Sequence, residues 1–308
     1  MSHFSRLLLT TAALGFSAFF SSNGFAYCLT HTCDQRKEDC EIDQTTGCNI
    51  GGKTLYWASS IVTWSIQKDG SPLEGITAET LRDVVASAFG RWEAADCGNG
   101  LHPLIDMEPY PTDSPFVTCS KPEYNQDQPN ANIITFHDET WPYAEVGAET
   151  LALTTVYFNP QSGEIYDANV EINSNLNKFV LTDAVYPVVD LNSVITHELG
   201  HFLGLSHSLY HPSATMYASY DEGMKTLDDD DVQAICASLP PGRPTVDSDL
   251  PRHGFSGDCS VPQKGCCSST IGGPVPSSQR LGSWAFGLGL CVWASRARLK
   301  RSARALRR

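Results

Sequence analysis

Between residues 76 and 95 the apolar positions recur at helical spacing. Leu81, Val84, Val85, Ala88, Phe89 and Trp92 fall in steps of three and four, with charged residues on the opposite face. The pattern predicts an amphipathic helix, capped at Thr77 or a neighbour. Strand patterns surround it. Residues 54–66 read as a first strand, and 131–136 (ANIITF) carry the apolar run of a buried one. Residues 151–159 and 164–173 read as two further strands, joined by the turn-like Pro160-Gln161-Ser162-Gly163. A second helix is expected to carry His197 and His201, and a final helix starts within 227–235 (LDDDDVQAI). The acidic first turn of that last helix suits the helix dipole, which accounts for its charge. A calcium site there is the alternative reading.

The run from His197 to His207, HELGHFLGLSH, adds chemistry to this pattern. On a helix, His197 and His201 share a face, with Cβ atoms about 5–6 Å apart, so two ring nitrogens can meet one zinc ion. Glu198 lies too close in sequence to complete that coordination comfortably, yet near enough to reach a water on the metal. Gly204 stands where such a helix must stop, because a residue without Cβ takes the left-handed C-cap conformation. The chain can then turn and deliver His207 as third ligand. Three nitrogen ligands leave one position open, as in catalytic rather than structural zinc sites.

HExxHxxGxxH is the metzincin signature, and this chain resembles that clan of metallopeptidases. Met216, nine residues past His207, is in position for the clan's methionine turn, a hydrophobic floor under the zinc. Ser208 after the third histidine, and Ala218 where astacins and serralysins place a tyrosine, resemble the matrixin branch. The resemblance implies an α+β, metzincin/zincin-like catalytic domain, with a twisted mixed β-sheet above the cleft and the active-site and C-terminal helices below. It implies one catalytic Zn2+ on His197, His201 and His207, with Glu198 as general base and then acid. It also places the substrate-holding sheet edge at 147–155, so that Ala152 and Leu153 are the candidates for backbone contacts by β-augmentation. Many matrixins hold a structural zinc and calcium around these strands. No histidine lies between Glu139 and Thr196, so the structural zinc is not expected. Asp167 and Glu171 are candidates for Ca2+, although solvated strand carboxylates are the simpler reading. The family's inhibitory cysteine motif does not occur. The chain is therefore expected to be made without a conventional latency domain, the alternative being that the 27–52 module fills the cleft.

The ends of the chain concern location. Residues 1–26 have the basic start, apolar run and small-residue exit of a secretory signal peptide. Residues 27–52 form a cysteine-rich segment, 53–240 a catalytic unit of ordinary domain size, and 241–280 a linker rich in Pro, Ser and Gly. Residues 281–308, apolar and then arginine-rich, resemble the MYXO-CTERM sorting tails of myxobacterial secreted proteins. That resemblance implies surface delivery from a Gram-negative cell, with processing near Cys266 or Cys267 and membrane contact only through the tail.

Without both ends the charge balance shifts. Of 21 basic residues, Arg6 and eight in 280–308 are removed, leaving 12 against 35 acids, about −23. Such a surface disfavours nucleic acid. Eleven cysteines in an exported chain imply disulfides, and Cys97 and Cys119, flanking a loop, are candidates to pair. The expected function is that of a secreted, monomeric zinc endopeptidase acting on protein or peptide substrates. The competing class is a noncatalytic surface protein that keeps the fold for binding, which has no use for Glu198.

Overall fold

The computed structural model describes residues 27–35, 37–143, 149–221, 223–246, 248, 250–258, 268–272 and 275–276. The signal peptide and the sorting tail expected at the two ends lie outside the described residues. Along the chain come β1 (Tyr56–Trp57), β2 (Ile61–Gln67), α1 (Ala78–Glu93), β3 (Asp106–Pro109), β4 (Phe116–Val117) and β5 (Ile133–Phe136). They are followed by β6 (Ala152–Phe158), β7 (Glu164–Ile172), β8 (Lys178–Val180), β9 (Val188–Asp190) and α2 (Leu191–Phe202). The last are β10 (Ser219–Tyr220), α3 (Asp229–Ser238), β11 (Ser268–Gly272) and β12 (Val275–Pro276).

The main sheet has the order β11-β6-β7-β5-β2-β3, with β1 added to β7 and β4 to β2. β2, β3, β5 and β7 run parallel, while β6 is antiparallel to β7 and β11 antiparallel to β6. The architecture is therefore α+β with a mixed sheet. The hairpin turn falls at the expected place, with Gly163 at φ +84° and backbone atoms of Thr54 where a Cβ would lie. Only glycine meets both conditions.

Helix α1 starts at the predicted cap, where Thr77 accepts from the Thr80 N–H. Its apolar stripe is buried throughout. Trp92 does more than fill the core, because its indole N–H donates to the Thr196 carbonyl of α2 at 2.9 Å. Phe89 meets Trp64 and Phe202 with ring centroids at 5.9 and 5.3 Å, which ties sheet, α1 and α2 into one core. Full burial of each such ring contributes about 1.5–3 kcal/mol.

Three sequence expectations change. Asp167 and Glu171 are buried rather than solvated. Glu171 accepts from Tyr143 and lies against His137, each at 2.6 Å, and Asp167 accepts from Asn169. The face of β7 that carries both is covered, so a solvated reading fails. Cys97 pairs with Cys236 across 139 residues, not with Cys119, and so pins the end of α1 to α3. Cys119 is also disulfide-bonded.

The N-terminal module is held by Cys28–Cys48 and Cys33–Cys40. It grips the turn after α2, where Thr30 N–H donates to the Gly204 carbonyl and Ser206 N–H to that of Cys28, both at 2.9 Å. Within the stretch read as a linker, Arg243 donates to the carbonyls of Trp57, Ser59 and Leu104, and Cys119 N–H donates to Gly257.

Candidate metal and active site

Helix α2 is the platform of the site. Asp190 caps its start by accepting from the Asn192 N–H at 3.0 Å, and the Tyr220 hydroxyl accepts from Asp190 N–H. At the other end Gly204 adopts φ +93°. Its N–H donates to the His201 carbonyl and the Leu205 N–H reaches back to Gly200, the paired bonds of a Schellman C-cap. The chain thus reverses within two residues and brings His207 beside the helix.

The three histidines converge. Their ring centroids stand 4.7, 4.8 and 5.2 Å apart, and one nitrogen from each lies within 4.8 Å of the others. His197 donates through Nδ1 to the Thr215 carbonyl at 2.6 Å, and His201 through Nδ1 to that of Leu205 at 3.0 Å. Each Nε2 is then left as a lone pair. His201 Nε2 stands 3.1 Å from His207 Nε2, and His197 Nε2 is buried with no partner. Converging lone pairs repel unless a cation lies between them, and tetrahedral zinc ligands at about 2.0–2.1 Å stand about 3.3 Å apart. The donor set fits zinc. Burial first, and then His207, hold His197 well below its ordinary pKa, so it stays in the neutral form a ligand needs.

Glu198 is buried beside this cluster. Thr154 Oγ1 on β6 donates to its Oε2 at 2.6 Å, while Oε1 has no partner among the described residues. Burial pushes the carboxyl up to about 8, with the Thr154 bond opposing. A bound cation next to it favours the carboxylate.

Met216 is buried under the helix. A Cβ at Gly200 would clash with Met216 Sδ and lie 3.0 Å from Trp92 Cζ2. Gly200 therefore allows the methionine turn to sit against the segment between His197 and His201. A Gly200→Ala chain is expected to lose about 1–3 kcal/mol from overpacking and to bind zinc more weakly, read by chemical denaturation and by zinc content after dialysis. Unchanged stability and metal content would show that the turn has room to spare.

The aspartate run hidden in the third helix's charge belongs to the site. Asp231 accepts from the N–H groups of Thr215, Met216 and Asp228, at 2.7, 2.9 and 2.8 Å. Burial still raises its pKa to about 6 despite these donors. Asp230 accepts from Ser208 Oγ at 2.8 Å, and Ser208 N–H donates to the Met216 carbonyl. These bonds hold the methionine turn and the residue after His207 together. Sequence reasoning took the run as helix-dipole charge, and Ser208 only as a family marker. The spacing of LDDDDV just past Met216 was the available signal.

Residues 107–238 match the sequence profile of the matrixin family. The chain carries a matrixin-like catalytic domain. A relative from Arabidopsis thaliana named Metalloendoproteinase 2-MMP is 28% identical over 162 residues, which are 51% of this chain and 36% of the relative. The matching region thus spans about a third of that relative's length. The matrixin family implies zinc, and the α+β sheet-and-helix order is metzincin-like. In this matrixin-like domain the stretch expected to hold the substrate falls on β6. Leu153 pairs outward with Gly272, whereas Ala152 lies one residue beyond that ladder and pairs inward with Ile172. Residues 144–148, part of the expected edge stretch, lie outside the described residues.

Proposed function

We propose that the chain is an exported zinc endopeptidase that hydrolyses peptide bonds in extended protein or peptide substrates. One observation carries the reading: three imidazole nitrogens converge beside a buried carboxylate with one oxygen held and the other without a partner among the described residues. His197, His201 and His207 would hold the metal. Bound there, zinc would acidify its water and polarise the scissile carbonyl. Glu198 takes the proton of the attacking water at its free Oε1, and then delivers it to the leaving amine nitrogen. Thr154 fixes the other oxygen, so the carboxylate does not rotate away. The outer edge of β6 aligns the substrate backbone. The water's oxygen ends on the new carboxyl group, and the C–N bond breaks to release an amine. Disulfides within the described residues support export. The name of the Arabidopsis relative supports the reaction class.

The test is cleavage of unstructured casein by the zinc-loaded chain, with and without a chelator. Cleavage that stops on chelation and returns with zinc is expected. Cleavage that continues with the metal removed overturns the reading.

A further inference from the structure

The strand that covers the outer edge of β6 comes from the far end of the same chain. β11 runs antiparallel to β6, from Ser268 opposite Tyr157 to Gly272 opposite Leu153. β12 runs parallel to β10, with Val275 opposite Ser219 and Pro276 opposite Tyr220. In sequence only Gly273 and Pro274 separate the two. The edges bridged in this way flank the candidate site. β6 carries Thr154, the partner of Glu198. β10 follows Met216 by three residues, and Met216 packs against Gly200 between two of the histidines.

The inner edge of β6 is taken by β7. Its outer edge holds the N–H and C=O groups that an incoming peptide would pair with, and an open edge of this kind is a template for any extended chain. β11 meets that edge over five residues, Leu153 to Tyr157. The N-terminal module lies elsewhere, on residues 204–206.

We propose that residues 268–272 are an extended peptide bound in cis in the cleft, which keeps other substrates out until the segment leaves. The proposal rests on the cleft being a peptide-binding site. Tethering makes such an occupant effective even when its intrinsic affinity is weak, because a segment of the same chain is present at an effective concentration on the order of millimolar. A competing protein at micromolar concentration then meets an edge that is filled most of the time. The stretch paired there, SSTIG at 268–272, points to the class of ligand the cleft takes: an extended, uncharged stretch of mostly small residues.

Amide hydrogen exchange on the full chain tests this. A Glu198→Ala background prevents cleavage of the segment during the measurement. The comparison is the same chain with Thr270→Pro and Ile271→Pro. Neighbouring residues of an antiparallel strand donate to opposite sides, so two adjacent prolines remove a ladder bond wherever the alternation falls. With the native tail, the outward amides of Leu153–Tyr157 should exchange at least about tenfold more slowly than in the double-proline chain. The inward amides, paired with β7, should not change, which controls for unfolding. Equal exchange of the outward amides in the two chains overturns the proposal. With Glu198 restored, the double-proline chain is expected to cleave casein at least about tenfold faster than the chain with the native tail. A double-proline chain that binds zinc and cleaves nothing counts against the peptidase reading, while the exchange data still decide the fate of the tail.

Discussion

Replacement of Glu198 by alanine is expected to leave the zinc content unchanged and to lower casein cleavage by about 10²–10⁴-fold, the usual contribution of a positioned general base. The imidazole lone pairs converge on one another and do not need the carboxylate, so the metal stays. Alanine is the best helix former, so α2 keeps its shape. What disappears is the oxygen that has no partner among the described residues and to which the proposed mechanism assigns the proton of the attacking water. Thr154→Val is the milder companion. It leaves the carboxylate in place but removes its 2.6 Å donor, and a fall of about tenfold in kcat with unchanged metal is expected. Metal analysis by mass spectrometry and steady-state rates on one set of samples decide both. Near wild-type cleavage by the Glu198→Ala chain would show that another group moves the proton.

Replacement of His201 by alanine should act on the metal itself. His201 supplies one of the three converging nitrogens, and through Nδ1 it also ties the helix end to the Leu205 carbonyl in the turn that carries His207. Its loss removes one ligand and loosens a second. The drop in zinc affinity should exceed the about 10–100-fold that follows removal of a group that only orients a ligand. Competition against a chromophoric chelator measures it, with circular dichroism as a check that α2 remains helical. A His201→Ala chain that retained zinc like the parent would mean that the metal is held elsewhere.

The local pieces of the site were legible because each rests on short-range periodicity. The 3.6-residue repeat placed Leu81 to Trp92 on one face, and the same repeat put His197 and His201 together. Gly204 marked the helix end, since few other residues accept a positive φ. Contacts across long sequence separations were not legible. Nothing near Trp92 announces that its indole N–H will meet Thr196, 104 residues away. The partner of Cys97 was misread for the same reason: loop proximity suggested Cys119, while the fold brings the segment after α1 to Cys236 of α3. Asp167 and Glu171 share one face of β7 and read as solvated strand carboxylates, and only the residues packed over that face buried them.

By itself the sequence determined the identities and spacings of His197, Glu198, His201 and His207, the helices and strands that carry them, and the glycine that lets the third histidine return. These are fixed by bonds and dihedral preferences within a few residues. The tertiary structure decided what surrounds them. It placed Thr154 on Glu198, Asp231 on the methionine turn, the N-terminal module on the turn at Gly204, and residues 268–272 on the edge of β6. Such pairings come from closure of a sheet and burial of a shared core, whose partners are chosen by shape and unsatisfied hydrogen bonds across the whole fold and not by neighbours in sequence.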